Sequence, residues 1–114
     1  MRKILLALGL LLLGNPAAHA HAFLDHANPR VGSTVRTAPH EVTLWFTQKL
    51  EPSFSSAQVT DGSGARVDQG AHAAGMQIHV SVKPLPPGTY RVRWKVLSVD
   101  THTTEGSFTF RVGQ

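Results

Sequence analysis

An all-β, antiparallel Greek-key sandwich or barrel of about seven strands is the fold this sequence predicts, on three observations. Apolar and polar residues alternate strictly in several segments, no segment sustains a helical period, and turn residues recur at short intervals. Val42, Leu44 and Phe46 alternate with Thr43, Trp45 and Thr47, the pattern of a strand with one buried face. Ala57 to Thr60 forms a second strand, ended by the turn pair Asp61-Gly62. Ala65 to Gln69 and Met76 to Val82 are weaker candidates. Pro84, Pro86, Pro87 and Gly88 break the chain before the clearest strand, in which Tyr90, Val92, Trp94 and Val96 share one face and Arg91, Arg93 and Lys95 the other. Phe108, Phe110 and Val112 repeat the alternation against Ser107, Thr109 and Arg111. Leu24, Val42, Leu44, Phe46, Tyr90, Trp94, Phe108 and Phe110 are the expected core, each large side chain stabilising by about 1.5–3 kcal/mol when fully buried. Trp45 falls on the opposite face, as a half-exposed aromatic on the sheet surface.

The first 20 residues read as a cleaved secretory signal peptide. Arg2 and Lys3 precede an apolar run from Ile4 to Leu13, Gly14-Asn15-Pro16 stops it, and Ala18-His19-Ala20 supplies the cleavage signal. The run is about half the ~20 residues a spanning helix needs. Cleavage between Ala20 and His21 leaves one domain, residues 21–114; Ala20-His21-Ala22 offers an alternative cut that would discard His21. Without Arg2 and Lys3, nine basic residues face seven acidic ones, a net charge of +2. The basic residues are scattered and no aromatic-interleaved basic stretch exists, which argues against nucleic-acid binding. The chain has no cysteine, so an exported domain must rely on its core, and metal ligands are limited to imidazole, carboxylate, amine and thioether.

Cleavage after Ala20 makes His21 the first residue. Its free amine and ring Nδ1 then form a chelating pair. Asp100-Thr101-His102 adds a carboxylate and an imidazole two residues apart. If the extended chain continued past Val96, Asp100 and His102 would emerge in register with it, on the inward side at the end of the sandwich. Three nitrogens and one oxygen suit tetragonal Cu(II), whereas zinc would prefer a tetrahedral arrangement. His26, near the N-terminal strand, is a candidate supporting group around the metal, and His40 belongs to a solvated turn. His72, Met76 and His79 form a loose trio that could take Cu(I), but with one methionine, surface positions on a loop and a strand explain them better. Glu105 is expected to begin a strand.

These residues resemble the CopC family of periplasmic copper-binding, copper-resistance proteins across 21–114. The similarity is carried by Gly88-x-Tyr90-x-Val92-x-Trp94, Ser98-x-Asp100-x-His102 and Gly106-x-Phe108-x-Phe110, and by His21-Ala22-Phe23-Leu24 with Pro29 and Gly32. The resemblance implies a cupredoxin-like sandwich and one Cu(II) held by His21, Asp100 and His102. It also implies periplasmic copper tolerance or delivery beside an inner-membrane, CopD-like copper-transport partner. One segment and three positions depart from the family pattern. Pro52 to Gly75 holds no methionine, so no Cu(I) site is expected. Phe23 replaces a frequent histidine, Thr103 a proline, and Gln48 a glutamate that would support the metal site; Gln48 keeps hydrogen bonding without the charge. The leading expectation is a monomeric, non-enzymatic Cu(II) carrier, since no nucleophile motif, phosphate loop or paired catalytic carboxylates are present. The alternatives are a small copper-dependent oxidase or monooxygenase-like protein and an immunoglobulin-like interaction module with incidental histidines.

Overall fold

The computed structural model describes residues 21–113, so the leader and its cleavage junction at Ala20 lie outside the described residues. Eight strands form two four-stranded sheets: β1 (Leu24–Asn28), β2 (Thr34–Val35), β3 (Glu41–Phe46), β4 (Ser56–Thr60), β5 (Asp68–Ala74), β6 (Gln77–Val82), β7 (Gly88–Leu97) and β8 (Thr103–Val112). One sheet runs β1-β3-β6-β5 and the other β2-β8-β7-β4. Pairing is antiparallel except between the two-residue β2 and β8, which run parallel. The all-β Greek-key sandwich is as expected, with one strand more than anticipated.

Alternation does what the sequence reading required of it in β3, β7 and β8. Val42, Leu44 and Phe46 are buried from one sheet, and Tyr90, Val92, Val96, Phe108, Phe110 and Val112 from the other. Ile78, Val80 and Val82 of β6 and Val59 of β4 complete the interior. Leu24 and Trp94, both expected in the core, are only partly buried against it. Trp94 sits edge-on to Phe46 with ring centroids 5.1 Å apart and lies opposite Gly106 in the β7–β8 ladder. A Cβ at Gly106 would stand 2.6 Å from Cζ2 of that indole. The glycine is therefore a space requirement of the tryptophan.

Three boundaries differ from expectation. β5 spans 68–74 rather than 65–69, because it is an edge strand in which only Ala73 is buried, so little alternation marks it. His26 lies within β1, not after it. β7 ends at Leu97, and the chain turns before Asp100 instead of continuing extended.

Polar ties close the end of the sandwich where β4 meets β5. Asp61 Oδ1 accepts from the Ser63 and Ala65 amides and the Ser63 hydroxyl, holding the turn that the Asp61-Gly62 pair signalled. Asp68, its side chain 6% exposed, takes a two-pronged bond from Arg66 at 2.8 and 2.7 Å and one from the Val59 amide at 2.9 Å. Its pKa falls below the ordinary 3.8 because of the Arg66 hydrogen bond, with burial opposing and the Val59 amide reinforcing the shift.

Two outcomes follow from this packing. Gly106→Ala should lower the urea-unfolding free energy by about 1–3 kcal/mol through overpacking against Trp94. Because the Asp68 pKa is depressed on folding, its contribution is complete above about pH 4–5 and disappears as pH drops through the lowered value. Urea titrations across that window should therefore show an acid limb that Asp68→Asn reduces.

Candidate metal centre

The short segment before β1 is pinned at the seam between the sheets. Ala22 is completely buried, and its carbonyl accepts a 2.6 Å hydrogen bond from Thr104 Oγ1 on β8. On the other side, the Thr47 amide donates to the Phe23 carbonyl at 2.9 Å and the Phe23 amide donates to Thr47 Oγ1 at 3.0 Å. Thr47 Oγ1 also reaches the His21 carbonyl at 3.5 Å. With Ala22 held from both sheets, the His21 side chain has a defined exit at one pole of the sandwich.

The β7–β8 turn arrives at the same pole. The Thr101 amide donates to the Ser98 carbonyl at 2.8 Å and the Ser98 amide to the His102 carbonyl at 3.0 Å, giving a three-residue loop of Val99, Asp100 and Thr101. Such loops put their last residue in the left-handed region, and Thr101 has φ +73°. A β-branched residue there is strained. The connection from β3 to β4 braces the turn: Val99 donates to the Lys49 carbonyl, Glu51 to the Leu97 carbonyl, and Leu50 bridges Ser98.

These constraints bring His21 and His102 together. Their rings stack with centroids 4.6 Å apart and planes 24° from parallel, and the Phe23 ring also stacks with that of His21, at 5.8 Å. An ion held at ~2.0–2.1 Å from one nitrogen of each imidazole needs those atoms roughly 3–4 Å apart, a separation compatible with centroids 4.6 Å apart. His102 and Asp100 are exposed and His21 is half-buried. Asp100 is the middle residue of the turn, and since β7 ends at Leu97 the extended register on which its inward placement depended does not reach it. Among the described residues no three His, Asp or Glu side chains are grouped as they stand to hold one ion. The structure brings the two imidazoles into contact, and Asp100 lies two residues before His102 in the same turn. Gln48 is half-buried beside Thr47. His26 is engaged elsewhere: Nδ1 lies 2.6 Å from Asp25 Oδ2 and the ring stacks on Trp45 at 4.4 Å. Thr47 and Thr104, which position the His21 segment, escaped the sequence reading, since a hydroxyl bonding a distant backbone leaves no local pattern.

A CopC-domain family model matches residues 24–113, and the chain belongs to the CopC family. It is 38% identical over 110 residues to copper resistance protein C of Xanthomonas campestris pv. juglandis, covering 88% of this chain and 86% of that one. The crystal structure of CopC from Methylosinus trichosporium OB3b superposes with a TM-score of 0.77 at 33% identity, over 82% of this chain and 94% of that one. PcoC of Escherichia coli, described as a methionine-rich copper resistance protein, superposes with a TM-score of 0.74 at 35% identity, over 82% and 99% of the two chains. This chain has only Met1 and Met76.

Relieving the left-handed strain should be visible in stability. Thr101→Gly is expected to raise the urea midpoint, by about 1 kcal/mol of unfolding free energy at unchanged slope.

Proposed function

We propose that this protein is a periplasmic copper carrier that begins at His21 after export. It binds a single Cu(II) through the His21 amine and Nδ1, the His102 imidazole and the Asp100 carboxylate. The observation that carries the reading is the 4.6 Å approach of two imidazoles that lie 81 positions apart in the chain. Cleavage converts the His21 nitrogen from an amide, which does not compete for the ion in its protonated form, into an amine that closes a chelate with its own ring. Asp100, two residues before His102 in the same braced turn, is the fourth donor. Imidazole, amine and carboxylate together favour Cu(II), and the relatives named as copper resistance proteins support copper as the metal. Gln48 has a hydrogen-bonding role beside the donors. A Cu(I) site built on several thioethers is not part of the reading, since Met76 is the lone methionine of the mature chain.

Carriage, rather than catalysis, suits the exposure of His102 and Asp100, which leaves the ion open to exchange. The surroundings suit a partner. Of the five large apolar side chains exposed among the described residues, Phe23, Phe54, Met76 and Val99 all belong to segments at this end of the sandwich. Phe23 flanks His21 and Val99 lies in the His102 turn. Met76 is in the β5–β6 turn, whose Gly75 and Met76 carbonyls accept from Leu50 and Phe46. Phe54 closes a 3₁₀ turn over Pro52–Phe54 next to the Leu97 contacts. An apolar rim around an exchangeable ion is what a membrane copper-transport protein of the CopD kind would dock against.

The chelate gives the test. One residue added ahead of His21 should weaken Cu(II) binding at least about tenfold, or 1.4 kcal/mol, in a competition titration, while leaving the fold intact. Equal affinity in the extended and unextended forms would contradict the reading.

A further inference from the structure

Away from this pole, the outer face of the β1-β3-β6-β5 sheet carries histidines that the copper site does not use. β6 buries Ile78, Val80 and Val82, so Gln77, His79 and Ser81 face outward. His72 of β5 is the direct cross-strand partner of His79, and Thr43 of β3 is the partner of His79 on its other side. Directly opposed residues in an antiparallel pair have Cβ atoms about 4.5–5.5 Å apart on the same face. Two imidazoles so placed can swing their nitrogens onto one ion at ~2.0–2.1 Å each.

The two rings have different surroundings. Nδ1 of His79 lies 3.3 Å from Glu41 Oε1 and 3.5 Å from Thr43 Oγ1, and Nε2 lies 3.0 Å from Gln77 Oε1. A carboxylate on one ring nitrogen is the arrangement that orients metal-binding histidines: with the proton on Nδ1 and donated to Glu41, Nε2 would present its lone pair to a metal, whereas the contact with Gln77 Oε1 places a proton on Nε2 while it lasts. Gln77 has to give up its contact with Nε2 for an ion to enter. His72 is exposed on the edge strand and free to meet His79 from across the ladder.

We propose that His72 and His79 form a second, weaker site for Cu(II) or a similar borderline divalent ion, with Glu41 orienting His79 and water completing the coordination. Two neutral imidazoles suit copper, zinc and nickel, and the absence of a third protein ligand makes the site weak and open. The ion would tie β5, an edge strand with an irregular start between Asp68 and Gly70, to β6. The site requires neither cleavage at His21 nor His102, so it stands apart from the reading of the pole.

Calorimetric Cu(II) titration of the exported protein tests this, together with a form carrying one residue ahead of His21. The exported protein should take two equivalents, a tight one and a weaker one. The weaker event should persist in the extended form and in His102→Ala. It should weaken at least about tenfold in His72→Gln and in His79→Gln, and by about tenfold or more in Glu41→Gln. His72 is exposed on an edge, so its replacement leaves the fold unchanged by circular dichroism, and the second equivalent should broaden the His72 and His79 ring resonances selectively. A single equivalent in the exported protein, or a second event untouched by His72→Gln, would overturn the proposal.

Discussion

The bond from Thr104 Oγ1 to the Ala22 carbonyl ties the start of the domain to the strand that follows the His102 turn. A hydrogen bond of this kind contributes only about 0.5–1.5 kcal/mol net, but its position matters more than its strength. Ala22 is sealed in the interior, and Thr47 holds the next peptide from the opposite sheet. A segment that would otherwise fray is fixed on both sides, and His21 has one place to go. The meeting of His21 with His102 is a consequence of that anchorage.

The second half of the pole is equally constrained. β7 stops at Leu97 because Ser55 and Glu51 bond its last backbone groups, and the Lys49 carbonyl draws in Val99. Ser98 is fully buried, so the turn cannot slide along the strand. Thr101 accepts a left-handed conformation within this frame, and strain of that kind persists only where the surroundings over-determine it. The pole carries two stacked rings and an acidic turn residue, and exposed apolar side chains occur in the segments that meet there.

Much of this was legible beforehand, for identifiable reasons. β3, β7 and β8 alternate cleanly because each has one face in the interior, and period-two burial is what alternation encodes. The sequence places β5 too early because this edge strand, rich in alanine, buries one side chain and writes no pattern. The eighth strand, Thr34–Val35, is too short to show periodicity. Trp94 faces inward as alternation requires, yet its burial depends on the missing side chain of Gly106, a relation across the ladder. The histidines were identified from their chemistry and the family motif, whereas their meeting depends on Thr47 and Thr104, whose partners are distant in the chain. The extended register of β7 does not reach Asp100, because the strand ends at Leu97 in a turn braced by the connection between β3 and β4, which no local pattern in the sequence announces.

Pulsed electron paramagnetic resonance on the exported protein with one equivalent of Cu(II) addresses the joining of the chain's two remote segments most directly. The account predicts modulation from the imidazoles of both His21 and His102 on the same copper, with the contribution of one ring disappearing in His102→Ala. A copper centre whose spectrum is identical in the native protein and in His102→Ala would show that the turn supplies no ligand, and would contradict it.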